Sequence, residues 1–281
     1  MSLYIASLNS GSNGNCYYVG NEQEAVLVDA GLSCRETEKR MKRLGLDMSI
    51  VKGIFISHEH GDHIKGVEGL ANKYSLPLYV TDKTFKNARL YMVGRFRRHF
   101  EAYEAVTVGG LSVLAFPKAH DAIDPHSFVI SGNGVRVGVF TDIGAVCSHV
   151  IDNFSDCHAV FLEANYDEAM LEAGRYPHHL KNRIRGGEGH LSNMQALELF
   201  KAYRKPHLSH LLLSHLSADN NNPDLALQLF VEHAGNTHVT VASRYQESSV
   251  FHITADMPIP AATAYQPYRE APRQPVQTSL F

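Results

Sequence analysis

The chain alternates short apolar runs of strand length with longer segments in which hydrophobic and polar residues follow a helical period. Near the start, three strand-like runs are separated by turn-rich segments, of which residues 9–15 are the clearest. Further along, strand-like runs alternate with helical segments. This order predicts the α/β class, with two mixed β-sheets flanked by helices in an αββα sandwich.

The boundaries follow from the apolar runs and from the residues that flank them. Strands are predicted at residues 3–8, 16–19, 25–29, 53–57, 78–80, 112–116, 127–131, 135–141, 158–163, 208–214, 239–242 and 250–253. Helices are predicted at residues 35–44, 65–74, 82–91, 145–153, 167–173, 193–203 and 223–233. Ser33, Ser192 and Asn222 stand where N-caps are expected, and Gly45 suits the end of the first helix.

The pattern disappears near residue 253, where the composition changes to proline with alanine, glutamine and tyrosine. A segment of this kind does not supply a core of its own. We therefore predict one folded domain over residues 1–255 and a Pro-rich tail over residues 256–281.

Composition and charge limit the classes of function. A chain of 281 residues with 44% hydrophobic residues can bury a substantial core. A formal net charge of −3 gives no overall basic field, so a nucleic acid would have to be bound by local patches and metal ions. No segment approaches the roughly 20 apolar residues that span a bilayer, and the N-terminus does not resemble a secretion signal. We expect a cytoplasmic protein with no membrane partner.

Two local basic patches stand out. Residues 94–100 alternate arginine with aromatic residues, and Lys181, Arg183 and Arg185 precede two glycines in a segment interpreted as a flexible loop. Either patch could be an ordinary solvated surface.

The most informative motif is His-x-His-x-Asp-His, formed by His58, His60, Asp62 and His63 directly after an apolar run. Most of the 17 histidines of a chain like this are surface or core residues, but four metal-binding side chains in six positions are rarely accidental. Residues two apart at the end of a strand point the same way, so His58 and His60 can bind one cation. Asp62 and His63, on the turn into a helix, can reach a second cation.

Three further candidate ligands follow apolar strands in the same manner, namely His120, Asp142 and His215. Each of them alone could simply cap the next turn. Together with the histidine motif, they supply the ligands that a site for two metal ions still needs.

The order of these residues, with Asp29 before them, resembles that of the metallo-β-lactamase superfamily of hydrolases. The resemblance implies one metal ion on His58, His60 and His120. It implies a second ion on Asp62, His63 and His215, with Asp142 bridging the two ions. Asp29 would orient the ligands from behind.

A finer resemblance is to the WalJ/YycJ-like group, which is regarded as DNA exonucleases. It rests on residues 11–16, 189–193 and 214–217, which read Gly-Ser-Asn-Gly-Asn-Cys, Gly-His-Leu-Ser-Asn and Ser-His-Leu-Ser. The resemblance implies a 5′-to-3′ DNA exonuclease of repair or replication. An RNA-processing nuclease remains open because residues 189–193 also resemble a stretch of tRNase Z. A lactonase, thioesterase or cyclic-nucleotide phosphodiesterase would share the metal site, whereas a non-catalytic binding module would not need every ligand.

The expected chemistry uses two divalent metal ions, Zn²⁺ or Mn²⁺, because a mixed His and Asp ligand set accepts either. A hydroxide bridging the two ions would attack phosphorus. We predict that His190, paired with Glu163, protonates the leaving oxygen, and we count Asp62 among the catalytic residues as well as the ligands. Alternatively, Glu163 binds a backbone amide or an arginine, and His190 merely helps to begin the helix after Ser192.

Substrate phosphates are expected to bind Lys181, Arg183 and Arg185, which closely precede His190. Ser12 and Asn13 could hold a terminal phosphate, although turn formation explains them equally well.

The last five residues contain Gln277, Leu280 and Phe281 in the spacing Gln-x-x-Leu-Phe. This resembles the peptide by which bacterial replication and repair proteins bind the DNA sliding clamp. DNA and the clamp are therefore the expected partners, although the tail could instead contact its own domain or a second subunit.

Overall fold

Two seven-stranded β-sheets form the centre of the protein in a computed structural model that describes residues 2–255. In spatial order, the first sheet comprises β14 (Phe251–Thr254), β1 (Ser2–Asn9), β2 (Cys16–Gly20), β3 (Ala25–Val28), β4 (Val51–Phe55), β5 (Leu78–Tyr79) and β6 (Arg97–Arg98). The second comprises β13 (His238–Val241), β12 (His210–Ser214), β11 (Ala159–Glu163), β10 (Val135–Phe140), β9 (His126–Gly132), β8 (Leu111–Pro117) and β7 (Ala105–Val108).

Each sheet is antiparallel in one half and parallel in the other. Strands β14, β1, β2 and β3 pair antiparallel, and β3 to β6 pair parallel. The second sheet repeats this division, since β7 to β10 are antiparallel and β10 to β13 are parallel. The parallel halves bring the carboxyl ends of several strands to one edge of each sheet, where side chains that follow the strands can meet.

Helices cover the outer face of both sheets. Along the chain, four helices lie between strands β3 and β6 of the first sheet, namely α1 (Cys34–Arg43), α2 (Gly61–Ile64), α3 (Val67–Tyr74) and α4 (Asp82–Asn87). The second is accompanied by α5 (Ser148–Ser155), α6 (Glu168–Ala173), α7 (His178–Arg185), α8 (Asn193–Tyr203) and α9 (Pro223–Val231). None of the helices within residues 2–255 has the length and apolar character needed to cross a bilayer.

The apolar core has three parts, one between each pair of neighbouring layers in the four-layer sandwich. One cluster lies between the first sheet and α1, α3 and α4. A second lies between the two sheets, where Phe55 and Phe128 meet edge to face at 5.8 Å. A third, with Phe154, Phe200 and Phe230, lies between the second sheet and α5, α8 and α9. The predicted αββα sandwich is confirmed.

The N-cap residues expected from the sequence are observed at the start of three helices. The Ser33 side chain accepts the Glu36 backbone N–H at the start of α1, and Asn222 accepts backbone N–H groups at the start of α9. Ser192 and Gln195 form a reciprocal capping box on α8. Because these caps satisfy amides that the first turn leaves unpaired, they fix where each helix begins.

Two local predictions are corrected, since the helix predicted at residues 82–91 ends at Asn87 and the loop predicted for the second basic patch is a helix. Lys181, Arg183 and Arg185 do not lie in a flexible loop, because residues 178–185 form α7. Pro177 precedes the first turn, no glycine or proline follows until Gly186, and Gly186 ends the helix. The helix was missed because it is short and its apolar side consists only of Leu180 and Ile184, neither of which is fully buried.

Candidate metal centre

Seven side chains proposed as ligands meet between the two sheets, at the ends of strands or on the turn that follows. The first sheet supplies the His58 to His63 motif after β4, and the second sheet supplies the rest from the loops after β8, β10 and β12. Donor atoms within 4.8 Å of one another form the groups His58 with His60 and His120, Asp62 with His63 and His215, and His58 with His63 and Asp142. The two predicted ligand triads are therefore each brought together.

Asp142 lies between the two triads. Its Oδ2 atom is 3.3 Å from His63 Nε2, and its Oδ1 atom is 3.4 Å from His215 Nδ1 and 3.8 Å from His120 Nε2. A carboxylate in this position faces ligands of both groups, as a bridging ligand must.

Three of the histidines have one ring nitrogen committed to an oxygen. Nδ1 of His63 donates to Asp29 at 2.7 Å, Nδ1 of His215 donates to Glu163 at 2.9 Å, and Nδ1 of His120 donates to a backbone carbonyl oxygen at 3.0 Å. These bonds fix the rings and leave Nε2 of His120 and His215 to bind a metal ion, whereas Nε2 of His63 also lies 3.1 Å from Asn15 Nδ2.

Atoms without partners at the centre fit a divalent metal site. Among the described residues, Nε2 of His120, Nε2 of His215 and Oδ2 of Asp142 are buried and have no hydrogen-bond partner. Buried polar atoms are normally satisfied, and cations held by the two ligand triads and Asp142 would satisfy these three. The donor set of imidazole and carboxylate is one that divalent transition metals bind.

The backbone is left-handed at three of the strand ends. Asp29, Asp142 and His215 have φ angles of 60°, 54° and 58°, in a region that residues other than glycine rarely adopt. Such strain is typical of functional sites, where the surrounding structure holds it in place. Here the His215 backbone N–H is held by the Ser10 hydroxyl at 2.7 Å.

Asp29 lies behind the ligands, as the resemblance implies. Its carboxylate accepts the backbone N–H of Ser57 at 2.8 Å, the Ser57 hydroxyl at 2.9 Å and His63 Nδ1. Burial alone lowers the pKa of His63, but the carboxylates of Asp29, Asp142 and Asp62 outweigh it and raise this pKa to about 10.

Glu163 forms the predicted pair with His190, at 2.9 Å between Oε1 and Nδ1. The carboxylate is completely buried, and its other oxygen accepts the backbone N–H groups of Ile143 at 2.7 Å and Leu191 at 3.1 Å. Burial raises the pKa of Glu163, but the His190 and His215 imidazoles more than offset this and lower it to about 2. The His190 side chain is 20% exposed, so it is the member of the pair that a substrate can reach.

Asn15 is a site residue that ligand spacing did not single out. Its Nδ2 atom donates to Asp62 Oδ2 at 3.1 Å, and its backbone N–H donates to the Asp62 carbonyl oxygen at 2.7 Å. Gly31 makes this close approach possible, because a Cβ atom there would overlap the same carbonyl oxygen. The signal was present in the motif at residues 11–16, but an amide is not recognised by searching for metal ligands.

Ser12 and Asn13 are exposed and bind a segment from the far end of the domain. Asn13 Nδ2 donates to the Arg244 carbonyl oxygen at 2.6 Å, and an Arg244 guanidinium N–H donates to the Ser12 hydroxyl at 3.3 Å. The proposed substrate contacts of this loop therefore lie beside Arg244.

The cations of α7 have protein partners. Arg183 pairs with Asp121, the neighbour of His120, which places it at the edge of the metal centre. Arg185 pairs with Glu172 at 3.1 Å, and Lys181 donates to the Glu172 carbonyl oxygen. Only Arg183 is thus linked directly to a residue next to a proposed ligand.

The other predicted features lie elsewhere. In residues 94–100, Arg97 pairs with Asp82 and Arg95 donates to Asn72 at 2.9 Å, and neither bond involves a proposed ligand. Gln277, Leu280 and Phe281 lie outside the described residues.

Comparison with known proteins gives consistent matches. The sequence model of the beta-lactamase superfamily domain matches residues 24–216. The chain is 37% identical over 230 residues to exodeoxyribonuclease YycJ of Bacillus anthracis, covering 80% of this chain and 87% of that protein. It is 33% identical over 224 residues to exodeoxyribonuclease WalJ of Streptococcus pneumoniae, covering 78% and 83%.

A solved structure supports the fold. The metallo-beta-lactamase fold protein YhfI of Bacillus subtilis superposes with a TM-score of 0.68 at 14% identity, over 90% of this chain and 100% of that one. Matches of this extent confirm the resemblance read from the sequence. The chain belongs to the beta-lactamase superfamily of metal-dependent hydrolases, in the group of the YycJ and WalJ exodeoxyribonucleases.

Proposed function

We propose that the protein is a metal-dependent exodeoxyribonuclease that degrades DNA from the 5′ end in repair or replication, in the cytoplasm. The relatives named exodeoxyribonucleases support this assignment. The structural observation that carries it is the His190–Glu163 pair beside the seven candidate ligands. Cleavage of a DNA phosphodiester releases a poor alkoxide leaving group, which needs a proton donor at such a position.

The ligand assignment is part of the proposal. His58, His60 and His120 would hold one divalent ion, and Asp62, His63 and His215 the other, with Asp142 between them; Zn²⁺ and Mn²⁺ both suit these donors. When bound, two such ions supply a water of lowered pKa that can attack as hydroxide, and they neutralise charge on the phosphoryl oxygens.

The other residues position the reacting groups. His190 delivers a proton from its exposed edge to the leaving oxygen, while Glu163 holds the ring through Nδ1. Glu163 is buried and touches no substrate, so it acts through its two histidines. Asn15 fixes the Asp62 carboxylate, and Asp29 fixes the His63 ring.

Two surfaces are proposed to contact DNA phosphates. Lys181, Arg183 and Arg185 present their cations from α7, and the ion pair of Arg183 with Asp121 places it nearest to the centre. Charge-assisted bonds from guanidinium groups suit phosphate oxygens. Ser12 and Asn13 would contribute uncharged donors on the other loop.

We assign catalysis to residues 1–255 and partner binding to residues 256–281. The Gln277, Leu280 and Phe281 motif would dock the enzyme on the bacterial sliding clamp. Such tethering raises the local concentration of enzyme at DNA, which compensates for the weak attraction of an acidic protein to a polyanion.

The test is to incubate metal-loaded protein with end-labelled single- and double-stranded DNA and RNA, with bis-p-nitrophenyl phosphate and a lactone panel in parallel. We expect mononucleotides to be released progressively from the 5′ end of DNA. Hydrolysis of RNA in preference to DNA would make the protein an RNA-processing nuclease, and hydrolysis of lactones alone would contradict the phosphodiesterase assignment.

A further inference from the structure

A cavity of about 290 Å³ lies next to the metal centre, beside His215. The Ser10 side chain, which accepts the His215 backbone N–H, forms part of its wall. Its polar and charged lining includes Ser10, Asn221, Asp224, Arg244 and Tyr245, and Leu216 belongs to its apolar wall. The cavity thus combines an apolar wall with a cation and several hydrogen-bonding groups, as small-molecule sites do.

Arg244 and Asp224 are the charged residues that line the cavity, and Arg244 is its cation. One guanidinium nitrogen, Nη2, donates to the Ser12 hydroxyl at 3.3 Å. The other, Nη1, is shielded from solvent and has no hydrogen-bond partner among residues 2–255. A buried donor without a protein acceptor is stabilised by an acceptor that a ligand brings.

The segment that carries Arg244 is held rigidly at the cavity. The Arg244 carbonyl oxygen accepts a hydrogen bond from Asn13 Nδ2 at 2.6 Å, and the Ser243 carbonyl oxygen accepts the Ser10 backbone N–H at 3.1 Å. Buried Arg40 donates to the Tyr245 carbonyl oxygen at 3.0 Å. These bonds fix the backbone before any ligand binds, so little order must be gained on binding.

Tyr245 adds an aromatic surface next to this cation. Its side chain is 53% exposed, and the Arg244 guanidinium carbon lies 5.9 Å from the centre of its ring. An exposed aromatic ring beside a guanidinium group matches the two recognition elements of a nucleotide, a base that stacks and a phosphate that takes charge-assisted bonds.

We propose that this cavity binds the terminal nucleotide of the DNA strand, with Arg244 on its terminal phosphate and Tyr245 against its base. The inference rests on the proposed function and deepens it. A pocket beside the reacting centre accommodates a chain end, whereas an open groove accommodates a continuous strand. Arg244 and Tyr245 would then determine that cleavage begins at an end.

The first experiment measures equilibrium binding of deoxyadenosine, its 5′-monophosphate and its 3′-monophosphate by calorimetry. Arg244→Ala should weaken binding of the 5′-monophosphate by about 10- to 100-fold and leave the nucleoside unaffected, because it removes only the bonds to the phosphate. Arg244→Lys should bind this monophosphate with an affinity between those of the wild type and Arg244→Ala, since lysine keeps the charge but lacks the planar guanidinium group. Tyr245→Leu should weaken the binding of all three ligands by roughly 5- to 100-fold, because each has a base that stacks on the ring.

The matched control is Arg35→Ala, which removes the same charge from an exposed position on α1. Each variant should keep the wild-type melting temperature. The inference is overturned if neither monophosphate binds the wild-type protein, or if Arg244→Ala binds both monophosphates as tightly as Arg35→Ala does.

The second experiment separates this inference from the nuclease assignment. Arg244→Ala should raise the KM for end-labelled DNA and leave hydrolysis of bis-p-nitrophenyl phosphate unchanged. If Arg244→Ala degrades DNA as the wild type does, the cavity is not the end-binding site, although the nuclease assignment stands. If the wild type hydrolyses the aryl ester but no DNA, while monophosphate binding still depends on Arg244, the nuclease assignment fails and the cavity remains a nucleotide site.

Discussion

His190 and His215 both donate through Nδ1 to the same oxygen, Oε1 of Glu163, and both distances are 2.9 Å. One buried carboxylate therefore holds the proposed proton donor and a proposed metal ligand at once. The sequence suggested only the first of these roles. The shared oxygen means that a change at Glu163 is felt in two parts of the site, whereas a change at His190 is felt in one.

Glu163→Gln should consequently lower metal affinity and turnover together. An amide places N–H groups opposite the donors of His190, His215 or the backbone, and removal of such support typically weakens metal binding by about 10- to 100-fold. Chelator competition measures the affinity, and DNA degradation at saturating metal measures the turnover. Normal metal affinity with abolished turnover would show that Glu163 serves His190 alone.

His190→Ala should slow DNA cleavage by about 10²- to 10⁴-fold and leave metal content unchanged, because the variant lacks the general acid but keeps every ligand. Hydrolysis of bis-p-nitrophenyl phosphate should be spared, since p-nitrophenolate leaves without a proton. The comparison of both substrates in one metal-loaded preparation decides the matter. Equal decreases on the two substrates would contradict the role of proton donor.

Asp142→Asn should remove at least one metal ion and abolish activity while the protein stays folded. Within residues 2–255, the buried Oδ2 atom of Asp142 has no hydrogen-bond partner and lies between the two ligand triads, so the charge is needed there for cations rather than for packing. Metal analysis and circular dichroism provide the readouts. Asp152→Asn, an exposed aspartate on α5, is the control with the same chemical change. Full activity of Asp142→Asn would refute the bridging role.

Neutralising Lys181, Arg183 and Arg185 should weaken DNA binding and flatten its dependence on salt, by up to about 0.7 to 0.9 in slope for each phosphate that is no longer neutralised. Because Arg183 and Arg185 already pair with acidic residues, we expect a total change smaller than that of three free cations. Binding at several salt concentrations measures the slope. A triple variant of Arg35, Lys39 and Lys42, on α1, carries the same change in net charge. If both triple variants show the same slope, α7 is an ordinary solvated surface.

Removal of the residues after Pro275 should abolish binding to the sliding clamp of the same organism without affecting DNA cleavage in solution. The double change Leu280→Ala with Phe281→Ala should have the same effect, because it removes the apolar pair of the motif. Direct binding of purified clamp to each chain is the measurement. Clamp binding that survives truncation, or no binding by the full-length chain, would rule out the motif as a docking peptide.

The metal centre was largely predictable because its side chains directly follow apolar strands, and such strands are visible in a single sequence. The parallel halves of the two sheets then bring those strand ends together. Asn15 was not singled out, since an amide that orients a carboxylate has no distinctive spacing. Helix α7 was missed for a different reason: it has only two apolar residues, Leu180 and Ile184, so the apolar period by which helices are recognised is too short.

The left-handed backbone at Asp29, Asp142 and His215 lowers the stability of the fold at positions that the proposed activity needs. A non-glycine residue in that conformation costs on the order of 1 kcal/mol or more, so three of them consume a noticeable share of the few kcal/mol by which a domain stays folded. Glycine would relieve this backbone cost, but at Asp29 and His215 it would also remove buried hydrogen bonds, so the gain in stability is clearest at Asp142. A screen for thermal stability alone would therefore favour loss of the Asp142 carboxylate, and the stabilised variants would lack a ligand that the proposed metal site needs.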